Sequence, residues 1–257
     1  MRRSDPALAV TLVVAAVLAT LVGRVVHAQL DTAAMTPLEN AVACAPPPSN
    51  DGAPDNALHI IGSQDTQPRG LFGTRDLLVI DGGTEAGVEL GQQFFVRRSN
   101  GLFGASGGPQ TGSRTVGWIR VVAVNESTAI ATVDHACGGI IQMDYLEAFV
   151  KPVVPDGAER DETPGEPDFT SLGRIVGGNE NHRIAGAGEF VVIDRGSDQG
   201  VVPGARFAIY RDLGVAGMPL TTIGEAIMIT IGPNMAVGRV TRARDAAQTG
   251  DYVAPRK

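Results

Sequence analysis

Tryptophan occurs once, tyrosine three times and phenylalanine eight times in 257 residues, so aromatic side chains make up only 5% of the chain, against 33 glycines and 16 prolines. So few bulky rings with so many turn formers argue against one long helical bundle and for short elements joined by many turns. Basic residues are scarce as well: 21 Lys and Arg against 28 Asp and Glu give a formal charge of −7. Binding of DNA, RNA or an anionic lipid surface by general electrostatics needs clustered cations, so no nucleic-acid partner is expected. The four histidines, His27, His59, His135 and His182, show no metal-ligand spacing, and the glycine-rich stretch from Gly101 to Gly108 lacks a following Lys-Ser/Thr. No metal and no cofactor is expected.

What is present begins with an export signal. Arg2 and Arg3 precede an apolar run from Ala7 to Val22, and Val26-His27-Ala28 places compact residues where a signal peptidase cuts. Residues 1–28 are read as a signal peptide cleaved between Ala28 and Gln29, which gives a periplasmic or secreted protein. The run is also at the lower length limit for a bilayer span, so a retained anchor is the alternative, and a membrane is a partner only in that case. Loss of Arg2, Arg3, Arg24 and Asp5 with the signal takes the formal charge from −7 to −9. In an oxidising compartment the only two cysteines, Cys44 and Cys137, are expected to form one disulfide.

The strongest pattern is an internal duplication. A shift of 113 places Val79-Ile80-Asp81 on Val192-Ile193-Asp194, Gly83 on Gly196, Gly87-Val88 on Gly200-Val201, Gly91 on Gly204, Phe94 on Phe207 and Arg98 on Arg211. After a six-residue change in loop length the match resumes at 107, with Gly117 on Gly224, Ala129 on Ala236, Val133 on Val240 and Asp144-Tyr145 on Asp251-Tyr252. The lead-in Ile60-Ile61-Gly62 is echoed by Ile175-Val176-Gly177. A period this long indicates a tandem pair of domains and not a solenoid of short repeats.

Each copy reads as strands. Leu77 to Ile80 and Phe190 to Ile193 are apolar runs closed by Asp-x-Gly, and Asn125-Glu126-Ser127 and Gly232-Pro233-Asn234 connect later β-rich runs as hairpins. Asp81, Gly83, Gly87 and Gly91, with Asp194, Gly196, Gly200 and Gly204, are taken as structural turn residues, the glycines supplying positive φ. The expected fold is all-β: two tandem small antiparallel β-barrels. The chain then divides into the signal at 1–28, a Pro-rich leader at 29–56, a first barrel repeat at 57–150, an acidic Pro-rich linker at 151–171 and a second repeat at 172–257. Leader and linker are expected to be extended spacers that bury no core.

The series apolar-apolar-Asp-x-Gly, Gly-Val-x-x-Gly-x-x-Phe, a strand led by glycine and the closing Gly250-Asp251-Tyr252-Val253 resembles β-barrel modules similar to the C-terminal domain of flagellar assembly protein T. Such modules also accompany LysM peptidoglycan-binding domains in exported bacterial proteins. The resemblance spans both copies, about 170 residues, and implies a scaffold or interaction unit of the cell envelope with no catalytic residues to carry over. The first copy departs at Met143-Asp144-Tyr145, where the closing glycine is missing, so its last turn is expected to differ.

Catalytic look-alikes do not assemble. Asp81-Gly-Gly and Asp194-Arg-Gly resemble a duplicated aspartic-protease motif, but no hydroxyl residue stands between Asp and Gly. Ser106, His135 and the run Arg174-Ile175-Val176-Gly177-Gly178 occur in the wrong order for a trypsin-like enzyme. The chain is therefore read as a non-enzymatic, exported envelope scaffold or adaptor whose partner is a cell-envelope protein. A peptidoglycan or carbohydrate binder is the alternative, and an undetected hydrolase a remote one. The loop from Ser99 to Arg114, six residues longer than its counterpart, offers Leu102 and Phe103 as a candidate partner contact.

Overall fold

Alternation of inward apolar and outward side chains at period two dictates the strands. In β5 (Ala129–Ala136), Ala129, Ala131 and Val133 are buried while Ile130, Thr132 and Asp134 are only partly covered. The computed structural model describes residues 34–49, 51–99, 112–160, 165–179 and 182–257. Within them, β1 (Ile60–Ser63), β2 (Leu77–Ile80), β3 (Gln93–Ser99), β4 (Ser113–Val124), β5 and β6 (Tyr145–Ala148) form a six-stranded antiparallel sheet in the order β1-β2-β5-β4-β3-β6. Its two outer strands meet at a bridge between His59 and Tyr145, flanked by Leu146 N–H donating to Leu58 C=O over 2.7 Å.

In the second half, β7 (Gly173–Gly178), β9 (Phe190–Ile193), β10 (Arg206–Arg211), β11 (Thr221–Ile231), β12 (Ala236–Ala243) and β14 (Tyr252–Pro255) close into a six-stranded antiparallel barrel. Two short strands, β8 (Ile184–Ala185) and β13 (Ala247–Gln248), pair beside it. The strand order of the ring, β7-β9-β12-β11-β10-β14, matches that of the first sheet.

Agreement extends to single residues. Val79 faces Ile130 as Val192 faces Val237, Gln93 faces Arg120 as Arg206 faces Ile227, and Phe94 faces Ala148 as Phe207 faces Pro255. The bulge between Ile60 and Gly62 recurs between Ile175 and Gly177, and that between Val96 and Arg97 recurs between Ile209 and Tyr210. Bulges mark a particular curvature, and each sheet wraps its own apolar core. The first core gathers Ile60, Leu78, Ile80, Val96, Ile119 and Val121; the second gathers Ile175, Ile193, Ile209, Met228, Val240 and Val253.

The turn glycines serve two different physical needs, which corrects the expectation that all supply positive φ. Gly87, Gly91, Gly200 and Gly204 do, with φ between 75° and 86°. Gly83 and Gly196 are extended, at φ −129° and −138°. There a Cβ would strike the backbone of the hairpin that crosses them: the Asn125 and Glu126 carbonyls at Gly83, the Gly232 and Pro233 carbonyls at Gly196. The closing turn of the first half does not differ as expected. Met143 adopts φ 71° where Gly250 adopts 98°, so the same left-handed turn is made with a side chain attached.

Neither spacer is a free coil. Pro37–Cys44 forms a two-turn helix, α1, and Ala158 in the linker is 2% exposed. The linker backbone is gripped by arginines of the barrel: Arg206 donates to the Gly157 carbonyl over 3.0 Å and Arg239 to the Ala158 carbonyl over 3.2 Å. Further on, Asp168 N–H bonds to Pro255 C=O over 2.8 Å and Glu166 N–H to Lys257 C=O over 3.0 Å. The segment thus adheres through hydrogen bonds of its main chain, with Val154 packed into the cluster of Phe190 and Val192 and the Phe169 ring 5.1 Å from that of Tyr210. The signal and its cleavage pair Ala28 and Gln29 lie outside the described residues. Among the described residues no helix is long and apolar enough to cross a membrane.

Candidate functional site

The two sheets and the leader meet at α1. An isolated eight-residue helix is unstable in water, so its existence needs explanation. Thr36 caps it: Glu39 N–H donates to the Thr36 hydroxyl over 3.2 Å, and Thr36 N–H donates to the Glu39 carboxylate over 2.6 Å. Pro37 presets the first turn, and Pro46-Pro47-Pro48, after the extended cap Ala45, keeps the helix from running past Cys44. The backbone bond from Thr36, followed by the ion pair with Lys151 at 3.1 Å, holds the Glu39 carboxyl below the usual carboxylate range.

The helix has two seats. Leu38, Ala41, Val42 and Ala45 fall at i, i+3, i+4 and i+7, one face of a helix, and pack on the outer surface of the barrel against Phe190, Val192, Ile229 and Val237. These four barrel residues are at most 4% exposed. Ala43 and Cys44, on the other side, join Met35 against the outer surface of the first sheet, at Phe95, Trp118 and Phe149. Pro48 lies so close to Gly232 that a Cβ there would collide with its carbonyl. The chain leading from α1 thus touches both halves.

The seat on the first sheet is locked covalently by the Cys44–Cys137 disulfide, which closes a separation of 93 residues. Around it aromatic rings gather: Trp118 stacks on His135 at 4.5 Å and nearly parallel, and Phe95 meets Phe149 at 4.6 Å with the rings tilted by 45°. Thr115 donates its hydroxyl to the Ala45 carbonyl over 2.9 Å, and Arg97, itself bonded to that hydroxyl, lies 4.4 Å over the Phe95 ring and pairs with Glu147 at 3.0 Å. Cys44, His135 and Cys137 bring two sulfurs and an imidazole within 4.8 Å. With both sulfurs in the disulfide no thiolate is on offer to a metal there.

The expected turn carboxylates take structural roles. Asp81 accepts from the His59 N–H over 2.6 Å and Asp194 from the Arg174 N–H over 2.7 Å, tying the ends of β2 and β9 to the starts of β1 and β7. A buried fork that pattern matching did not single out as functional lies deeper. Arg98 clamps both oxygens of Asp144 at 2.7 Å, and Arg211 those of Asp251 at 2.8 Å. The Asp251 carboxylate pushes the pKa of Arg211 up. Such carboxylates are committed and offer no base to a substrate.

Of the other sequence candidates, Leu102, Phe103 and Ser106 lie outside the described residues, and Ile175 is a barrel core residue paired with Ile193. The apolar outer faces under α1 were missed, although β9 reads Phe-Val-Val-Ile with all four residues buried, a sign that both faces of that strand are covered. No protein-family model and no curated protein matches the chain.

Proposed function

We propose that this protein is an exported, non-catalytic scaffold or adaptor of the cell envelope, built from two copies of one small β-barrel module whose outer faces dock other chain segments. The observation that carries the reading is α1, which seats its faces on both sheets at once. An outer sheet face that takes up a helix of its own chain has the chemistry to take up one from another protein. Duplication is supported by the shared strand order, the recurring bulges and the paired Arg–Asp forks. On this reading the modules occupy 57–150 and 172–257, preceded by a signal at 1–28 and a leader at 29–56, with 151–171 between them. Export is supported by the disulfide, which persists in oxidising compartments.

Crosslinking in the native envelope, followed by identification of the captured species, tests the function. The expected result is one envelope protein captured reproducibly. Depletion of the purified protein by isolated cell-wall sacculi, with no protein captured, would replace this reading by peptidoglycan binding.

A further inference from the structure

β2 and β9 are sister strands that are apolar on both faces, Leu-Leu-Val-Ile and Phe-Val-Val-Ile, yet among the described residues only β9 is covered twice. On the barrel, Val176, Phe190, Val192, Ile229 and Val237 lie beneath α1. The matching residues of the first sheet are Leu77, Val79 and Ile130 in register, and Ile61 and Val122 at the recurring bulges. Phe190 is 2% exposed where Leu77 is 42%, and Ile229 is 4% exposed where Val122 is 44%; Ile61 is 46% exposed. These five side chains, on the four neighbouring strands β1, β2, β5 and β4, form one apolar patch.

We propose that this bare face of the first sheet is a docking site for an aliphatic-faced, two-turn helix of a partner protein, in the manner that α1 occupies the sister face. The inference rests on the reading of the two sheets as copies and deepens it by naming the partner's chemistry. Two observations choose this occupant. The same face of the barrel is an established seat for such a helix, with Leu38, Ala41, Val42 and Ala45 as the inserted side chains. The patch of five partly exposed side chains also falls short of the roughly 800 Å² per partner that a stable dimer buries, while it suits two turns of helix. The chain's own α1 is held by the disulfide between the barrel and the Trp118 face of the first sheet, and so does not also cover Leu77 and Val122.

A peptide of residues 34–48 carrying Cys44→Ser and an N-terminal fluorescein serves as the probe, titrated with the purified protein and followed by fluorescence anisotropy. Saturable binding at one peptide per protein is expected, with the emission of Trp118 unchanged because α1 stays in place. Leu77→Asp with Val122→Asp should weaken binding by about tenfold or more, while Val202→Asp, an exposed apolar position in the other half, should leave it unaltered. The replaced side chains are exposed, so the double variant should keep its unfolding midpoint. No binding at millimolar protein, or binding that survives the double substitution, overturns the proposal. So does self-association of the protein that the double substitution abolishes, which would make a second copy the occupant. If envelope crosslinking captures a partner and the double variant captures it equally well, the scaffold reading stands and this site falls; if the peptide binds as described and the envelope yields no protein partner, the reverse holds.

Discussion

Arg98 grips Asp144 through two parallel hydrogen bonds of 2.7 Å at a site where the carboxylate is 2% exposed. The Ile141 N–H also donates to that carboxylate over 2.8 Å, so the fork fastens the last turn before β6 to β3. Arg211 and Asp251 repeat the geometry, with one difference: Asp245 also accepts from Arg211, over 2.9 Å. Removing the carboxylate charge leaves a guanidinium with an uncompensated charge, which costs about 3–5 kcal/mol in buried pairs. Asp144→Asn should therefore destabilise by about that much in urea unfolding. Asp251→Asn should cost less, because Asp245 still faces the guanidinium; equal losses would show that Asp245 contributes nothing.

The disulfide acts on the unfolded chain as well as on the leader. Closing a loop across 93 positions restricts the denatured ensemble by an amount equivalent to about 4–5 kcal/mol. Cys44→Ser with Cys137→Ser should lower stability by up to that figure. The single tryptophan, Trp118, is 4% exposed beneath the leader, so its emission reports directly on release of α1. Reduction under native conditions should shift that emission to longer wavelength; an unshifted spectrum would mean that packing alone holds the helix.

Much of the fold was legible because strand alternation and hairpin turns are local. Asn125-Glu126-Ser127 and Gly232-Pro233-Asn234 do connect β4 to β5 and β11 to β12, and Cys44 and Cys137 had no one else to pair with. What failed to show was set by distant contact. In α1 two turns are too short for a helical period to stand out, and the prolines that end it dominate the composition; the Thr36–Glu39 capping box was the available sign. Linker docking depends on Arg206 and Arg239, whose targets are backbone carbonyls that any sequence would supply. The bare face of the first sheet was equally hidden, since Leu77 and Phe190 look alike until a helix covers one of them.

Two glycines of one turn should respond to the same substitution in different ways. Gly200, at φ 79° with nothing within 4 Å of where a methyl group would point, needs only a residue that tolerates the left-handed region. Gly200→Asn should cost about 1 kcal/mol or less, since asparagine enters that region readily. Gly196 is extended but crowded by two carbonyls. Gly196→Asn must push the hairpin outward and should cost about 2–3 kcal/mol. Chemical denaturation of the two variants separates conformational freedom from close approach, and reversed magnitudes would reverse the assignment.

Met143 offers the complementary case, a side chain at φ 71° where the corresponding turn of the second half has Gly250 at 98°. The left-handed conformation costs a non-glycine residue about 1–2 kcal/mol, whereas glycine adds about 0.5–1 kcal/mol of unfolded-state freedom. Met143 is 62% exposed and has little packing to lose. Met143→Gly should thus raise stability by about 0.5–1 kcal/mol, and Met143→Ala should not. A loss on Met143→Gly would show that the methionine packs on something in the native protein.

Acid should loosen the end of the linker before the barrel itself. Asp168 is held at about 2, below its ordinary 3.8, first by the hydrogen bond from Lys257 and then by those from the Thr170 hydroxyl and N–H. A carboxyl whose folded-state pKa is depressed stabilises the fold above its unfolded value, and that contribution fades as the pH drops toward the folded one. The interval is therefore from about pH 4 down to about pH 2. Hydrogen exchange of the Glu166 and Asp168 amides, which bond to Lys257 and Pro255, should accelerate across it beyond the intrinsic pH trend. Asp168→Asn should start from the loosened state and show no such interval. Protection in the wild-type protein that stays constant from pH 4 to pH 2 would mean that the Lys257 contact does not fasten this segment.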